Sequence, residues 1–362
     1  MRRKYYLLGT FVIIMIIIAF MKRKPTDRRE WDPHYLISKP RKGGGPYVRH
    51  FHGNIRRGAV PQVSILLWTP WFKDVNWAAN FSTIFDMCDY KCHLTKDKTR
   101  LRESQAVLFH AQDLDILPLH RLSNQVWIFH TREAPPNAAD NFDKYANIFN
   151  WTSTYRRDSE VYSSYGGTFR REFPNRGVKN FASTKSLGVA WVASNCNDQA
   201  KRANLVRELR KFIHVDTFGD CGEMNLKADK TDQVLKHYKF YLAFENSYCR
   251  DYITEKFWSS LHRHQIPIVS GGGDYTRVAP PHSFINVLEY QSTEELAEYI
   301  KYLDQNDQAY NEYLEWTGEY YVKKLNLDSV LCDICTSLHI DMRTSQVYTN
   351  LQGYMEDDIC GR

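Results

Sequence analysis

The segment Phe244–Trp258 combines residue types that suit an anionic ligand. Tyr238–Phe244 reads as a buried strand, a polar turn follows, and a helix is predicted to open at once. Unpaired backbone N–H groups and the positive end of the helix dipole face any anion bound there. Lys256 adds a mobile positive charge, and three further side chains offer hydrogen bonds to a sugar or ribose: Asn246, Tyr252 and Glu255. An ordinary strand–helix corner would not explain this polar cluster, so the segment predicts a phosphate-binding site.

Two other segments place a charged side chain beyond the end of a predicted strand. Leu187–Ala193 reads as a strand, and Arg202 lies on the helix that follows its polar loop. Val126–His130 is a second strand, and Glu133 lies in the loop after it. A forked guanidinium suits a diphosphate, and a carboxylate can accept a proton. Taken alone, each residue is more often a solvated surface charge, so the neighbouring sequence has to decide.

That neighbouring sequence resembles the α1,3-fucosyltransferase family, which uses GDP-fucose. Residues 244–258 match the donor-binding signature of the family almost residue for residue, and 187–202 match its strand, Ser-Asn, loop and arginine. Residues 127–135 resemble its strand followed by Glu-Ser-Pro, with Ala134 in place of the serine. Residues 149–159 resemble its Phe-Asn-x-Thr-x-(Ser/Thr)-Tyr-Arg-x-Asp-Ser block, which makes the alignment of the preceding glutamate safer.

The resemblance extends from about residue 62 to about residue 340 and implies a role for each candidate. Glu133 would be the catalytic base, with a pKa raised by a partly desolvated cleft. Arg202 and Lys256 would meet the donor diphosphate together with the helix N-terminus. Three residues would orient ribose, phosphate or fucose: Asn246, Tyr252 and Glu255. The substitution of alanine at position 134 puts local hydrogen bonding in question, and not the base itself.

The implied activity is transfer of L-fucose from GDP-β-L-fucose, with inversion, to O3 of N-acetylglucosamine. Acceptors bearing N-acetylglucosamine stay open among the N-glycan core, Lewis-type units and LacdiNAc of glycoproteins or glycolipids. Three alternatives remain: a protein O-fucosyltransferase of the same family, an enzyme using another sugar nucleotide, and a catalytically silent lumenal protein that binds sugar nucleotides. Competition by GDP against UDP, and replacement of the base, would separate them.

Apolar runs alternate with helical or polar stretches from residue 62 onward, which is an α/β pattern. Within it we predict a strand over 148–151, helices over 199–212 and 251–262, and a helix that begins at the capping box Ser292–Glu295. A loop-like stretch, 155–184, separates two such series. We therefore predict two Rossmann-like, doubly wound domains facing a cleft, the arrangement called GT-B among glycosyltransferases. Residues 61–180 would bind the acceptor, and 181–362 would bind GDP-fucose, with a C-terminal tail packing back.

The first 60 residues predict a membrane anchor. Tyr5–Met21 is uncharged and apolar, and its seventeen residues would span about 25 Å as a helix. No small-x-small cleavage site follows, so a retained signal anchor is favoured over a cleaved signal peptide. Residues 1–4 would form a cytoplasmic tail, and 22–60 a stem without sustained period.

Two features place the bulk of the chain in an oxidising lumen. Eight cysteines in a pattern unlike a metal site suit such a compartment, and Asn80 and Asn150 begin glycosylation sequons. These features outweigh the basic residues after the span, which alone would favour the opposite orientation. The prediction is a single-pass type II protein of the Golgi membrane. The family resemblance implies disulfides between one pair of cysteines, Cys88 and Cys92, and another, Cys332 and Cys335. The partners of the remaining four stay open.

Metal and nucleic-acid chemistry are disfavoured. Asp113-Leu114-Asp115 has the D-x-D pattern of metal-dependent glycosyltransferases, but the family match there is to an ordinary strand-to-loop segment. Gly271–Gly273 lacks the Lys-Ser/Thr of a P-loop, and the histidines show no ligand spacing. We expect no obligatory cofactor, and stimulation by Mn²⁺ stays open. The net charge of +6 comes without a long basic face interleaved with aromatics, so no nucleic-acid partner is expected.

Overall fold

The computed structural model describes residues 62–77, 84–86, 88–139, 141–175, 177, 179–342, 345–357 and 360–361. The fold is α/β with two parallel sheets. The first sheet has strand order β2-β1-β3-β4-β5-β6. Its strands are β1 (Val63–Leu67), β2 (Cys92–Thr95), β3 (Ala106–His110), β4 (Val126–Thr131), β5 (Trp151–Thr154) and β6 (Val161–Tyr162).

The second sheet has strand order β12-β11-β10-β8-β9, and its strands also run parallel. They are β8 (Leu187–Val192), β9 (Val215–Phe218), β10 (Tyr238–Phe244), β11 (Ile266–Ser270) and β12 (Ile285–Asn286). A separate antiparallel ribbon pairs β7 (Gly166–Arg170) with β13 (Tyr320–Lys324).

The α-helices among the described residues connect and cover these strands. They are α1 (Pro135–Ala138), α2 (Arg202–Leu209), α3 (Thr231–Leu235), α4 (Glu255–His262), α5 (Thr293–Gln305), α6 (Asp307–Glu312), α7 (Leu327–Ile340) and α8 (Leu351–Glu356). Strands β1, β3, β4 and β10 are buried along their whole length, as expected of parallel strands covered on both faces. In doubly wound sheets ligands bind beyond the carboxyl ends of the strands, so the loops after β4 and β10 are candidates for a ligand site.

Helices α7 and α8 return to the first sheet. Leu331 and Ile334 of α7 pack with Ile65 of β1, and Leu351 of α8 packs with Phe129 of β4. Disulfides Cys88–Cys332 and Cys92–Cys335 fasten α7 to that sheet, which confirms the predicted bridging between the two cysteine pairs. The other four cysteines form Cys196–Cys221 and Cys249–Cys360.

Several predicted boundaries were wrong, each for a local reason. The strand predicted over 148–151 is β5, shifted toward the buried polar residues Thr152–Thr154, because the apolar residues before it pack in the core outside the sheet. The helix predicted over 199–212 begins at Arg202, since Lys201 has a left-handed φ of 50°. The helix predicted from Asp251 begins at Glu255, because Asp251 itself has φ 66°.

The stretch 155–184, predicted to be loop, contains β6 and β7. Its ribbon partner, β13, lies about 150 residues further along the chain, so no local period marks the pairing. The helix predicted at Ser292 is confirmed: the Ser292 hydroxyl accepts a hydrogen bond from the Glu295 N–H at 3.1 Å.

The predicted glycosylation site at Asn150 is wrong for the folded protein. Its side chain is fully buried. The Oδ1 atom accepts from the Trp127 N–H at 2.8 Å, and the amide nitrogen donates to the Gln346 carbonyl at 2.9 Å. Both functions of this amide are structural, which leaves no room for a glycan. Asn80, the anchor predicted over 5–21 and the stem over 22–60 lie outside the described residues. No helix within the described ranges is both long and apolar enough for a bilayer.

Candidate active site

The loop after β10 contacts the loops after β4 and β5 at the carboxyl ends of these strands. The Tyr252 hydroxyl donates to Glu133 Oε2 at 3.3 Å, and the Asp251 carboxylate accepts from the Arg157 N–H at 3.3 Å. A longer contact of 3.5 Å joins the Asn137 amide to the Ser247 hydroxyl. The candidate site residues of the two sheets are thereby brought to one place.

The start of α4 is organised around a buried carboxylate, Glu245. It accepts from the Thr254 N–H at 2.7 Å and from the Thr254 hydroxyl at 2.8 Å. Lys256 Nζ lies 3.3 Å from the same carboxylate and donates to the Thr254 hydroxyl at 2.8 Å. Glu245 therefore holds both the helix N-terminus and the lysine in place.

Lys256 lies between two carboxylates and retains its charge. Its Nζ is also 3.2 Å from Glu255 Oε1. Burial opposes the charge, but Glu245 and Glu255 raise the pKa of Lys256 above its ordinary value. Lys256 in turn lowers the pKa of Glu255 against the effect of burial. The Glu255 side chain is 58% exposed, so its carboxylate is accessible to solvent and to a ligand.

Arg202 lies close enough to Lys256 for its positive charge to lower the pKa of that lysine, against the larger effect of the two carboxylates. Its side chain is buried, and Nε contacts Asp198 Oδ2 at 2.7 Å. The other two nitrogens donate to backbone carbonyls, those of Phe244 at 3.1 Å and Asn195 at 3.2 Å. Arg202 therefore fixes the carboxyl end of β10 and the loop after β8. Direct contact with a diphosphate stays a prediction.

Asn246 carries an unused acceptor. Its Oδ1 atom is buried and has no hydrogen-bond partner among the residues that the structure describes. The backbone carbonyl of the same residue accepts from the Ala200 N–H at 3.1 Å, which fixes the residue in the loop. A buried acceptor without a partner is uncommon in folded proteins and is satisfied when a ligand donates to it.

Glu133 lies in the loop after β4, across the loop contact from Lys256 and Asn246. Its backbone N–H donates to the Thr131 hydroxyl at 3.0 Å. Burial raises the pKa of Glu133, and the nearby charge of Glu255 raises it further. Lys256 and the hydroxyls of Tyr252 and Tyr165 act in the opposite direction. A carboxylate with a raised pKa can accept a proton near neutral pH.

Tyr252 is almost completely buried, and its hydroxyl faces Glu133. Its ring packs on Tyr155 with the ring centroids 4.8 Å apart. In this structure Tyr252 therefore positions the carboxyl across the boundary between the sheets. The predicted contact of Tyr252 with ribose, phosphate or fucose stays a prediction.

Arg132 and Tyr165 complete this side of the site, although the sequence pattern did not single them out. The Arg132 guanidinium lies over the Tyr165 ring at 3.9 Å and donates to the Leu325 carbonyl at 2.9 Å. The Tyr165 hydroxyl donates to the Arg132 carbonyl at 2.7 Å. Glu245 was also missed as a functional residue. Its place between a strand and a helix start was the available signal, whereas Tyr165 had none.

The D-x-D segment serves the local fold. Asp113 accepts from the Phe72 and Lys73 N–H groups at 2.7 and 2.9 Å and contacts His110 Nδ1 at 2.5 Å. At Gly272 a Cβ would lie 2.7 Å from the Cys249 carbonyl oxygen, so this glycine allows close packing of two loops. A cluster with metal-ligand spacing, within the described ranges, comprises Cys92, Cys335 and His339, and both cysteines are in a disulfide.

Two parallel sheets thus bring a charged lysine at a helix start close to a carboxyl of raised pKa. This arrangement suits the class of group-transfer enzymes, because a cation at a helix start can stabilise an anionic leaving group and a carboxyl can accept a proton.

Comparison with known proteins identifies the family. A model described as "Glycosyltransferase family 10 (fucosyltransferase) C-term" matches residues 182–354, and one described as "Fucosyltransferase, N-terminal" matches 61–166. Alpha-(1,3)-fucosyltransferase C of Drosophila melanogaster is 31% identical, over 84% of this chain and 80% of that protein. Human alpha-(1,3)-fucosyltransferase 7 is 32% identical, over 82% of this chain and 87% of that protein.

A crystal structure of an α1,3-fucosyltransferase with GDP-fucose has the same fold, with a TM-score of 0.54 and 19% identity. The match covers 82% of this chain and 95% of that one. The chain belongs to the fucosyltransferases of glycosyltransferase family 10, and it is a glycosyltransferase.

Proposed function

We propose that this protein is an inverting α1,3-fucosyltransferase that uses GDP-β-L-fucose as its donor. Its fold would be of the GT-B type, with the donor in the half built on the second sheet and the acceptor in the half built on the first. The single observation that carries the proposal is the Tyr252–Glu133 contact, because it joins Glu133, the proposed base, to the segment 244–256 between β10 and the start of α4 (the α4 corner). The similarity to fucosyltransferases supports the choice of sugar.

In this reaction, O3 of an acceptor N-acetylglucosamine bonds to C1 of fucose while the bond from C1 to the β-phosphate oxygen breaks. The acceptor proton passes to Glu133, and GDP leaves with the electron pair. Lys256 and the N-terminus of α4 stabilise the negative charge that develops on the phosphate. Glu255 partly neutralises the charge of Lys256 and would bind a hydroxyl of the donor. Arg202 acts on this site through the loop that it fixes.

The cellular setting is also part of the proposal. Residues 5–21 would anchor the chain as a single-pass type II protein of the Golgi membrane, with 22–60 as a stem. Paired cysteines support an oxidising compartment, since such bonds persist there. Glycans of glycoproteins or glycolipids that carry N-acetylglucosamine are the proposed acceptors.

The test is a transfer assay on the full chain in detergent, with GDP-fucose and a panel of acceptors. The panel contains N-glycan cores, N-acetyllactosamine, LacdiNAc and peptides with serine or threonine. We expect fucose at O3 of N-acetylglucosamine, determined by mass spectrometry and NMR of the product, and inhibition by GDP but not by UDP. Fucose on a peptide hydroxyl would support the protein O-fucosyltransferase alternative. GDP binding without transfer to any acceptor would support a silent binding protein.

A further inference from the structure

The loop that joins β10 to α4 is held by residues far along the chain. Cys249 lies in this loop and forms a disulfide with Cys360. The same two residues pair as an antiparallel bridge, and the Gly361 N–H donates to the Tyr248 carbonyl at 2.8 Å. The segment Cys360–Gly361 therefore acts as a short strand added to the loop that carries Asn246 and Tyr252.

Gln199 closes a second connection on the same segment. Its amide nitrogen donates to the Gly361 carbonyl at 2.8 Å, and its Oε1 accepts from the Tyr248 N–H at 3.2 Å. One side chain thus bridges both strands of the pair. On the other side of the loop, the Tyr248 hydroxyl is 2.6 Å from the Ser270 hydroxyl at the end of β11.

The chain that leads to this segment is anchored on the first sheet. The Arg156 guanidinium lies over the Tyr354 ring of α8 at 4.0 Å and donates to the Tyr354 carbonyl. The Tyr354 hydroxyl is 2.9 Å from the Ser159 hydroxyl and 3.2 Å from the Thr152 hydroxyl. One end of the connection is therefore held by the acceptor half, and the other is covalently joined to the donor loop.

We propose that Cys360 and Gly361 are positioning residues for the donor: they hold the loop 246–252 in the conformation that binds the diphosphate nucleotide. Cys360 and Gly361 are held by a few hydrogen bonds, and without a covalent link they would separate readily from the loop. The disulfide keeps them at a high effective concentration against Tyr248. Ordering the loop before binding lowers the entropic cost of binding the donor. This inference rests on the proposed function.

The test compares Cys249→Ala/Cys360→Ala with the full-length wild type. Alanine is chosen because Cys249 is buried among apolar side chains, where serine would leave a hydroxyl without a partner. We expect KM for GDP-fucose to rise about tenfold, while KM for the acceptor changes by less than about twofold. Cys88→Ala/Cys332→Ala is the matched control, because that disulfide lies on the first sheet away from the loop. We expect this control to lower stability and leave KM for the donor unchanged.

Gln199→Ala decides the matter if the double variant fails to fold, because it breaks the bridge and keeps the disulfide. We expect KM for GDP-fucose to rise by about three- to fivefold, and Asn204→Ala, an exposed change on α2, to have no effect. An unchanged donor KM in Gln199→Ala, or equal increases of KM for donor and acceptor, would overturn the inference. Failure of the proposed function is distinct, since the wild type itself would then transfer no fucose. In that event, calorimetry with GDP on the same variants decides whether the loop is positioned by this segment.

Discussion

Two carboxyl groups of the site have pKa values shifted in opposite directions. One lies in the α4 corner, and the other lies in the loop 131–134 after β4 (the β4 corner). At the start of α4, Glu255 has Lys256 beside it, and its pKa is lowered. After β4, Glu133 has a tyrosine hydroxyl as its hydrogen-bond partner, and burial raises its pKa. The cation next to Glu133 in sequence, Arg132, instead donates to the carbonyls of Ser164 and Leu325. Glu255 keeps its charge because a cation is paired with it. Glu133 can accept a proton because the neighbouring cation is directed elsewhere.

The largest effect is expected from Glu133→Gln, which keeps the shape of the side chain and removes its basicity. General bases contribute about 10²–10⁴-fold to rate, so we expect kcat to fall by about that factor. GDP affinity, measured by calorimetry, should stay unchanged, because Glu133 lies on the acceptor side. Glu172→Gln, a change at an exposed glutamate outside both loops, is the control. Substantial turnover by Glu133→Gln would show that another group accepts the proton.

A second large effect is expected from Lys256→Met, which removes the charge from the α4 corner at similar length. Hydrogen bonds to charged groups contribute about 1.5–3 kcal/mol, so KM for GDP-fucose should rise by about 10- to 100-fold. Glu245 would then lack its cation partner, and loss of stability should accompany the loss of affinity. Thermal unfolding and GDP calorimetry measure the two effects, with Lys230→Met as an exposed control. Unchanged affinity for GDP would exclude Lys256 from the donor site.

The difference between the corners also sets the pH dependence. Glu133 works as a base only when deprotonated, so kcat/KM should fall as the pH drops through its raised pKa. Tyr252→Phe removes a hydroxyl that lowers this pKa, and the acid limb should move to higher pH. Glu255→Gln removes a like charge that raises the pKa, and the limb should move to lower pH. Profiles of kcat/KM against pH test both, with the exposed Glu294→Gln as control. Shifts in the same direction for both variants would contradict the assignment.

The sequence predicted the α4 corner better than the β4 corner. Phe244, Lys256 and the turn between them are contiguous, so a strand, a loop and a helix start define the site locally. The surroundings of Glu133 depend on contacts between distant segments, because Arg132 reaches Leu325, 193 residues along the chain. No local pattern encodes such a contact.

The same reasoning explains why some strands of the first sheet were misplaced or missed in the sequence. The buried residues of β5 are mostly hydroxylated, and their stability comes from pairing with β4 and from side-chain hydrogen bonds. Hydrophobic periodicity does not register these interactions. Helix starts were shifted where a buried carboxylate takes the first N–H groups, as Asp198 does for Arg202 and Glu245 does for Thr254.

The smallest effect is expected at Asn246, and its two measurable consequences have opposite signs. In the unliganded protein the buried Oδ1 lacks a partner among the described residues, which costs stability. Asn246→Ala should therefore leave the melting temperature unchanged or raise it. A donor hydroxyl or N–H that bonds to this oxygen would be lost as a contact, and a neutral hydrogen bond of ~1 kcal/mol corresponds to an increase of about fivefold in KM for GDP-fucose. Asn246→Asp should raise KM further, because its charge would repel the diphosphate. A lower melting temperature with unchanged KM would show that the amide supports the fold and does not contact the donor.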